Sequence, residues 1–433
     1  MKTVIMAGGK GTRIAALAPD IPKPMIPIDG VPVLEREIES LVSQGFDDIL
    51  ITVSHLGKVI MDYFGDGSGV SPVTGKPFQA HITYYVEKEP LGNAGALFQV
   101  RDQLTDEFLL LNADAVFDVN FHRFIEAHHR MDGLVTLFVH SNSHPYDSGL
   151  LITDEKGAVE QWLTKEDTRP QWYFNTVNAG LHVMNKKVLE QPISTPKVDL
   201  DRQILKPLAG TGKMFVYNSP EYVEDMGTPE RYAKVQNSFQ KGIIHARNLV
   251  NKQKAVFLDR DGTINRYVGY LTDIDQFELL PGAAEAIRKI NLSGYLAIVV
   301  TNQPVVARGD LTMEQLQEIH KKMETLLGKE GAYVDHIYVC PHHPDKGFPG
   351  EVPELKISCE CRKPKPGMLL QAARDYNIDL TSSWMIGDDQ RDIRAGINAG
   401  CHTALIGEKI IGQEQTVQSL LEFVDELPSL EVS

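Results

Sequence analysis

The 433-residue chain has no uninterrupted apolar stretch long enough to span a bilayer, which argues against a membrane protein. The opening MKTVIMAGGKGTR does not read as a signal peptide, because its apolar segment is brief and glycine and charge follow at once. Positive charge is in deficit. Lys and Arg number 43 against 58 Asp and Glu, a formal net charge of −15, which argues against general binding to nucleic-acid phosphates. Cysteine is scarce. There are four, and Cys340, Cys359 and Cys361 fall in one short stretch, a pattern of a metal knot in a reducing compartment and not of a disulfide framework. A cytoplasmic location is the expectation. Cys401 reads as a buried core thiol. Internal repeats and low-complexity tracts are absent. The expected partners are small molecules, neither nucleic acid nor membrane, with homo-oligomer formation left open.

The length itself exceeds what one hydrophobic core usually organises, so two domains are expected. In the first half KTVIMAG, DDILITVS, HITYYVE, EFLLLNAD and GLVTLFVH read as strands, and the segments Pro32 to Gln44 and Val119 to His129 as helices. A polar helical stretch follows, and KAVFLDRDGT then starts a new first strand. It is succeeded by AAEAIRKINLSG (helix), YLAIVVTNQ (strand), MEQLQEIHKKMETLL (helix), VDHIYVC (strand), GMLLQAARDYN (helix) and SSWMIGDD (strand). Strands alternating with helices predict two doubly wound α/β domains, each with a parallel or mixed sheet covered on both faces. The expected boundaries are 1–235 and 254–411, with a linker at 236–253 and a C-terminal helix and tail at 412–433.

Ala7-Gly8-Gly9-Lys10-Gly11-Thr12-Arg13 is a glycine-rich turn directly after a strand, where backbone N–H groups can approach phosphate oxygens. It lacks the GK[ST] ending of a Walker A loop. Lys10, Arg13 and Lys23, the last on a proline-flanked segment, add cationic contacts. Asp114 follows an apolar strand, where ligands of open α/β sheets tend to bind, and Asp225 stands before a turn. Two carboxylates converging with triphosphate oxygens are the usual way to hold magnesium. Alone, Asp114 reads equally as a helix N-cap.

AGGKGTR…PKPMIPI, EPLGNAGAL, LLLNAD, VNAGLHV and EDMGTPERY, in that order, closely resemble the sugar-1-phosphate nucleotidyltransferases, a family that includes mannose-1-phosphate and heptose-1-phosphate guanylyltransferases. The resemblance implies that Gly8, Gly9, Gly11, Thr12 and Arg13 bind the triphosphate and that Lys23 stabilises charge at the α-phosphate. It implies that Asp114 and Asp225 hold Mg2+, that Gly92 and Asn93 lie near the nucleoside, and that Lys165, Asn178 and Gly180 line the sugar-phosphate pocket. The family often has threonine in place of Asn93, and glutamate in place of Thr164 before Lys165. The implied reaction is in-line attack of a sugar 1-phosphate oxygen on the α-phosphorus, with pyrophosphate leaving, which needs positioning and charge neutralisation but no nucleophilic side chain.

In the second half Val256-Phe257-Leu258-Asp259-Arg260-Asp261-Gly262-Thr263 sets two aspartates at the end of an apolar strand, one able to attack phosphorus and the other to act as acid and base. Thr301 and Asn302 end the next strand with polar groups for a phosphoryl oxygen, and Asp388 and Asp389 end a later one with acids for magnesium. Asp392 can brace the site or cap the next helix, the cap being preferred. Together these resemble the haloacid dehalogenase-type phosphatases over roughly residues 254–410. Cys340, Cys359 and Cys361 with one histidine would complete a closed tetrahedral zinc site of structural type, which would rigidify the loop DKGFPGEVPELK. His342, in a CxH spacing, is preferred to His343 as the fourth ligand.

CPHHP…CxCRKPKPGM resembles the zinc-containing heptose bisphosphate phosphatases and, more distantly, the histidinol-phosphate phosphatases. That resemblance implies Asp259 as nucleophile and Asp261 as general acid/base, with Thr301 and Asn302 on the phosphoryl group and substrate. It implies Arg362 and Lys363 as phosphate ligands, Arg308 in substrate binding, and Asp259, Asp261 and Asp388 around Mg2+. TNQPVVARG departs from the family's TNQSGIARG, and Asp389 stands where a lysine often follows the metal aspartate. The two halves together imply dephosphorylation of a heptose 1,7-bisphosphate followed by nucleotide activation, with GTP as the expected donor. A mannose-1-phosphate guanylyltransferase fused to a histidinol-phosphate-like phosphatase is the alternative. A half that senses ligand without turnover ranks lowest, because Asp114, Asp225, Asp259 and Asp388 are all present.

Overall fold

The apolar runs become strands. In the computed structural model, which describes residues 1–9, 21–54, 56–190, 197–409 and 411–427, Lys2–Met6 lies between Asp48–Val53 and Glu107–Asn112 and runs parallel to both. His81–Val86 extends this sheet on one side. On the other, Val177–Asn185 pairs antiparallel with Glu107–Asn112 and leads to Leu150–Thr153 and Val159–Leu163, while Val135–His140 and Met214–Asn218 complete nine strands. Val4, Phe108 and Leu110 belong to one buried cluster and Ile5, Leu109 and Leu111 to another. Successive strand residues point to opposite faces, and both faces are covered, which is why these strands read as unbroken apolar runs. The helix Val33–Ser43 covers one face with Leu34, Ile38 and Leu41. Phe121–Met131 starts where the Asn120 side chain accepts the Arg123 N–H at 3.1 Å.

This first unit comprises Met1–His140, Gly149–Thr164 and Asn178–Asn248. Residues 236–253 carry the end of the helix Pro229–Gln240 and the short helix Ile243–Ala246, with Ile243 and Ile244 buried.

The second unit comprises Ser141–Ser148, Lys165–Val177 and the chain from Leu249 onward. Its sheet has six parallel strands in the order His336–Cys340, Leu296–Asn302, Ala255–Leu258, Trp384–Gly387, His402–Ile406 and Gln415–Val417. Numbered along the chain this is 3-2-1-4-5-6, the doubly wound order with its reversal between the first and fourth strands. The last two strands are not among the elements expected from sequence. Gln415–Val417 puts part of the C-terminal stretch into the sheet, ahead of the helix Leu420–Asp425. Cys401 is buried, 7% exposed. The helix Met313–Lys329 begins with a capping box between Thr312 and Gln315. On it Glu324 accepts the Asn175 N–H at 2.6 Å, and Thr325 accepts that of Tyr173 at 2.9 Å. No helix among the described residues is long and apolar enough to cross a membrane.

Candidate active sites

Where the order of a doubly wound sheet reverses, the loops leaving two adjacent strands part to opposite faces and open a crevice at the strands' carboxyl ends. In the second unit Asp259 follows Ala255–Leu258, and Asp388 follows Trp384–Gly387, so both acids stand at that crevice. Lys363 Nζ lies 2.7 Å from Asp259 Oδ1 and 2.6 Å from Asp392 Oδ1. Carboxylate oxygens of Asp259, Asp388 and Asp392 all fall within 4.8 Å of one another. Three carboxylates against one ammonium leave excess negative charge on hard oxygen donors, a set suited to a divalent cation. The same excess acts on proton affinity. Burial and then Asp392 push Asp259 up, with Lys363 pulling against them, and burial with Asp259 pushes Asp388 up to about 6. Gly262 adopts a φ of +86°, and a Cβ on it would stand 2.1 Å from Asp388 Oδ2, so the DxDGT glycine is required by close approach.

The Asp261 carboxylate is not in this group; its oxygens are taken up by other donors. Arg260 Nη2 donates to both its oxygens at 3.0 and 2.7 Å, Asn265 Nδ2 to Oδ1 at 2.9 Å, and Gln303 Nε2 to Oδ2 at 2.8 Å. Burial alone would raise Asp261, but Arg260 and these donors outweigh it and hold the carboxyl below its ordinary range. Gln303 also donates to Thr301 Oγ1 at 2.8 Å. Asn302 and Lys363 are locked together: Asn302 Nδ2 donates to Lys363 O, and Lys363 N to Asn302 Oδ1, each at 3.0 Å. Asp392 does both things weighed for it. One oxygen accepts the Asp389 N–H in a capping box at the start of Gln390–Ala399, and the other meets Lys363. Arg308 lies against the rings of Tyr270 and Phe348 with its Nε on Asp310, and Arg362 Nη1 donates to His342 O.

The cysteine cluster sits where the strand His336–Cys340 ends. Cys361 Sγ lies 3.2 Å from Cys340 Sγ and 3.3 Å from Cys359 Sγ, and His342 Nδ1 is 3.3 Å from Cys361 Sγ. Three sulfurs and one imidazole nitrogen thus converge on one point, a group that can hold a metal ion. His343 is outside it; its Nδ1 accepts the Asp345 N–H at 3.2 Å.

In the first unit Lys23 Nζ meets Asp114 Oδ2 at 2.7 Å. Asp225 stands opposite Ala115 in the antiparallel pair Tyr222–Asp225 and Ala115–Asp118, and the Met226 N–H donates to Asp114 O. That pairing brings the two acids, far apart in sequence, to one place. Asp225 is held by Arg231 Nη1 at 2.5 Å and by the Gly227 N–H at 2.7 Å. Gly8 and Gly9 follow the first strand, and Ser54 Oγ donates to Gly8 O. Lys10, Gly11, Thr12 and Arg13 lie outside the described residues. Gly92 bridges to Val198, where a Cβ would stand 2.3 Å from the Val198 carbonyl oxygen, and Asn93 Oδ1 accepts the Leu200 N–H at 2.8 Å. Asn178 and Gly180 share the strand Val177–Asn185, whereas Lys165 falls in the second unit.

Residues 2–242, more than half of the chain, match the nucleotidyl transferase family model, and residues 360–420 match the HAD-hydrolase-like model. The D-glycero-beta-D-manno-heptose-1,7-bisphosphate 7-phosphatase of Yersinia pestis is 44% identical over 152 residues, 35% of this chain and 79% of that protein. The chain joins a nucleotidyl transferase to a haloacid dehalogenase-type phosphatase. The phosphatase of the same name from Pasteurella multocida is 41% identical to this bifunctional enzyme over 183 residues, 41% of the chain and 96% of the relative. Among solved structures, HddC from Yersinia pseudotuberculosis aligns with 55% of the enzyme and 99% of its own chain, at 27% identity and a TM-score of 0.46.

Sequence reasoning passed over several polar residues of the bifunctional enzyme. In the phosphatase these are Arg260, Asn265, Gln303 and His320, whose contacts with Asp261, or with one another, join separate segments. In the transferase Glu37 is 1% exposed with neither carboxylate oxygen hydrogen-bonded, and burial followed by Asp114 pushes it well up. Its place inside an amphipathic helix gave no signal beyond periodicity.

Proposed function

We propose that the phosphatase removes the 7-phosphate of D-glycero-D-manno-heptose 1,7-bisphosphate, and that the transferase then joins the heptose 1-phosphate to GMP from GTP, yielding GDP-heptose and pyrophosphate. The observation that carries the phosphatase chemistry is the contact of Lys363 with Asp259 and Asp392 at the strand-order reversal. Identity of 41% across 96% of a heptose-bisphosphate phosphatase supports the substrate.

Asp259 is the nucleophile, oriented by Lys363, which also offsets its charge. Thr301, Asn302, Arg308 and Arg362 receive the phosphoryl group and the rest of the substrate. Asp261 donates a proton to the departing sugar oxygen, one it must take up against the pull of Arg260 and its other donors, and later regains it from water. Asp259 and Asp388, with Asp392 beside them, would hold Mg2+, which supplies charge neutralisation at the phosphoryl oxygens. Cys340, His342, Cys359 and Cys361 would hold a structural Zn2+ that ties the loop between the third strand and Lys363. None of the four cysteines is in a disulfide, which suits the reducing cytoplasm.

In the transferase Asp114 and Asp225 would hold Mg2+, and the Lys23 and Arg231 contacts keep these carboxylates in place. Gly8 and Gly9 would face the triphosphate, and Lys23 neutralises charge at the α-phosphate; Gly11, Thr12 and Arg13, outside the described residues, are assigned to the same group by the sequence resemblance alone. Gly92 and Asn93 face the nucleoside; Asn178 and Gly180 receive the sugar phosphate.

Phosphorus NMR of the full-length enzyme with magnesium, GTP and each anomer of the heptose bisphosphate tests this reading. Inorganic phosphate should appear first, then pyrophosphate and a GDP-sugar, from one anomer in preference. Absence of phosphate release from both anomers would overturn the heptose assignment. Phosphate without pyrophosphate would overturn the assignment of sugar or base in the transferase.

A further inference from the structure

Arg260 is among the largest fully buried side chains of the described residues, at 0% exposure. A buried guanidinium brings five N–H donors that need partners, and its Nε has none. The head group is therefore aimed by its two Nη atoms. Nη2 forks onto Asp261, and Nη1 donates to His320 Nε2 at 3.1 Å. His320 belongs to the helix Met313–Lys329 and is itself 3% exposed. A nitrogen that accepts a hydrogen bond carries no proton, so the imidazole is neutral with its hydrogen on Nδ1. Burial and the adjacent guanidinium push His320 down to about 3, which keeps it neutral across any working pH.

We infer that His320 is a positioning residue of the phosphatase: by accepting the Arg260 Nη1 hydrogen it fixes the guanidinium that aims the Asp261 carboxyl at the departing sugar oxygen. The inference rests on the reading of Asp261 as the acid/base group. In the first half-reaction an Asp259 oxygen forms a bond to phosphorus as the phosphorus–sugar oxygen bond breaks. The electron pair leaves on the sugar oxygen, which takes the Asp261 proton. In the second, water attacks the aspartyl phosphate and gives its proton to Asp261, the phosphorus–Asp259 bond breaks, and inorganic phosphate leaves. Without His320, Nη1 joins Nε as an unpartnered buried donor and nothing but Asp261 orients the head group.

The two substrates of the test differ in how much they need that proton. A sugar alkoxide leaves poorly without it, whereas p-nitrophenolate leaves readily as the anion. kcat/KM reports steps up to irreversible loss of the leaving group, so it isolates the first half-reaction for both. In full-length enzyme, His320→Leu should lower kcat/KM for the heptose bisphosphate about tenfold and for p-nitrophenyl phosphate less than about threefold. His320→Gln, whose amide oxygen can accept the same hydrogen, should recover most of the loss. Arg260→Lys, which keeps the charge and loses the fork, should repeat the selective loss and replaces the leucine variant should that fail to fold. Equal losses on both substrates, or no loss on either, would overturn the positioning role. Asp261→Asn separates the two levels of the argument. If it too lowers both substrates equally, the acid reading of Asp261 fails; if it is selective and His320→Leu is not, only the inference about His320 fails.

Discussion

Lys363→Met removes the ammonium that faces Asp259 and Asp392 while keeping a side chain of similar length. Lys363 and Asp392 are each 2% exposed in their side chains, and the contacts are 2.7 and 2.6 Å. Removing one partner of a buried ion pair costs about 3–5 kcal/mol, because the remaining charge is left uncompensated. Here two carboxylates are left, and both are already pushed above the ordinary range, Asp259 chiefly by burial and Asp392 likewise. In the variant they rise further. A carboxyl with a raised folded value contributes stability below its unfolded value of about 3.9 and loses it as pH rises through the folded one. The destabilisation therefore grows with pH: about 3–5 kcal/mol at pH 8, and less than half of that at pH 5, where protons replace the missing ammonium. Urea denaturation without added magnesium, at both pH values, measures the difference. Phosphate release should fall at least a hundredfold, while pyrophosphate release from preformed heptose 1-phosphate stays intact. Adding Asp392→Asn to the variant should restore more than half of the stability at pH 8. A loss equal at the two pH values, or below about 1 kcal/mol, would refute the electrostatic account.

Cys359→Ser should abolish the zinc binding proposed for the Cys340, His342, Cys359 and Cys361 group, read by metal analysis, and lower the melting temperature by several degrees. Asp114→Asn should cut pyrophosphate release by two to three orders of magnitude and leave phosphate release unchanged; equal loss of both would contradict independent chemistry in the two halves. Burial raises Glu324 to about 7, with the Asn175 N–H bond opposing, so its contribution to stability is present below pH 4.5 and lost as pH rises through 7. Glu324→Gln, which keeps an acceptor for Asn175, should flatten stability between pH 5 and 8 by up to roughly 3 kcal/mol; an unchanged pH profile would show that the carboxyl does not titrate there.

Much of the fold was legible because burial on both sheet faces writes itself into sequence as short apolar runs such as FLLLN and AIVVT, punctuated by glycine and acids. The weak strands were not. His402–Ile406, five residues, and Gln415–Val417, three residues at the edge, are the last strands on one side of the parallel sheet, and runs so short carry little periodic signal. Their assignment depends on pairing with neighbours that sequence does not name. Metal-type spacing made the cysteine cluster readable, and His342 could be preferred because two residues along a strand end bring Nδ1 back toward Cys340 Sγ, at 3.7 Å.

Charge balance is the harder part to read, because it is a property of several segments together. Asp392 looked like a helix cap, and its backbone contact is one; nothing local disclosed that its second oxygen would meet Lys363. The resemblance offered Asp261 two roles, acid/base and metal ligand, and did not disclose that Arg260, beside it in sequence, turns inward to claim its carboxylate. Behind it the helix Met313–Lys329 presents His320, whose Nε2 accepts from Arg260 Nη1 at 3.1 Å. A buried guanidinium is costly without partners, so finding one beside a carboxylate of the site is itself a reason to seek what holds it. Along a strand end the sequence DRD offers three charged residues and no means of dividing them. The fold divides them by burial: Asp259 to the lysine, Asp261 to the arginine, and the arginine to the histidine behind it.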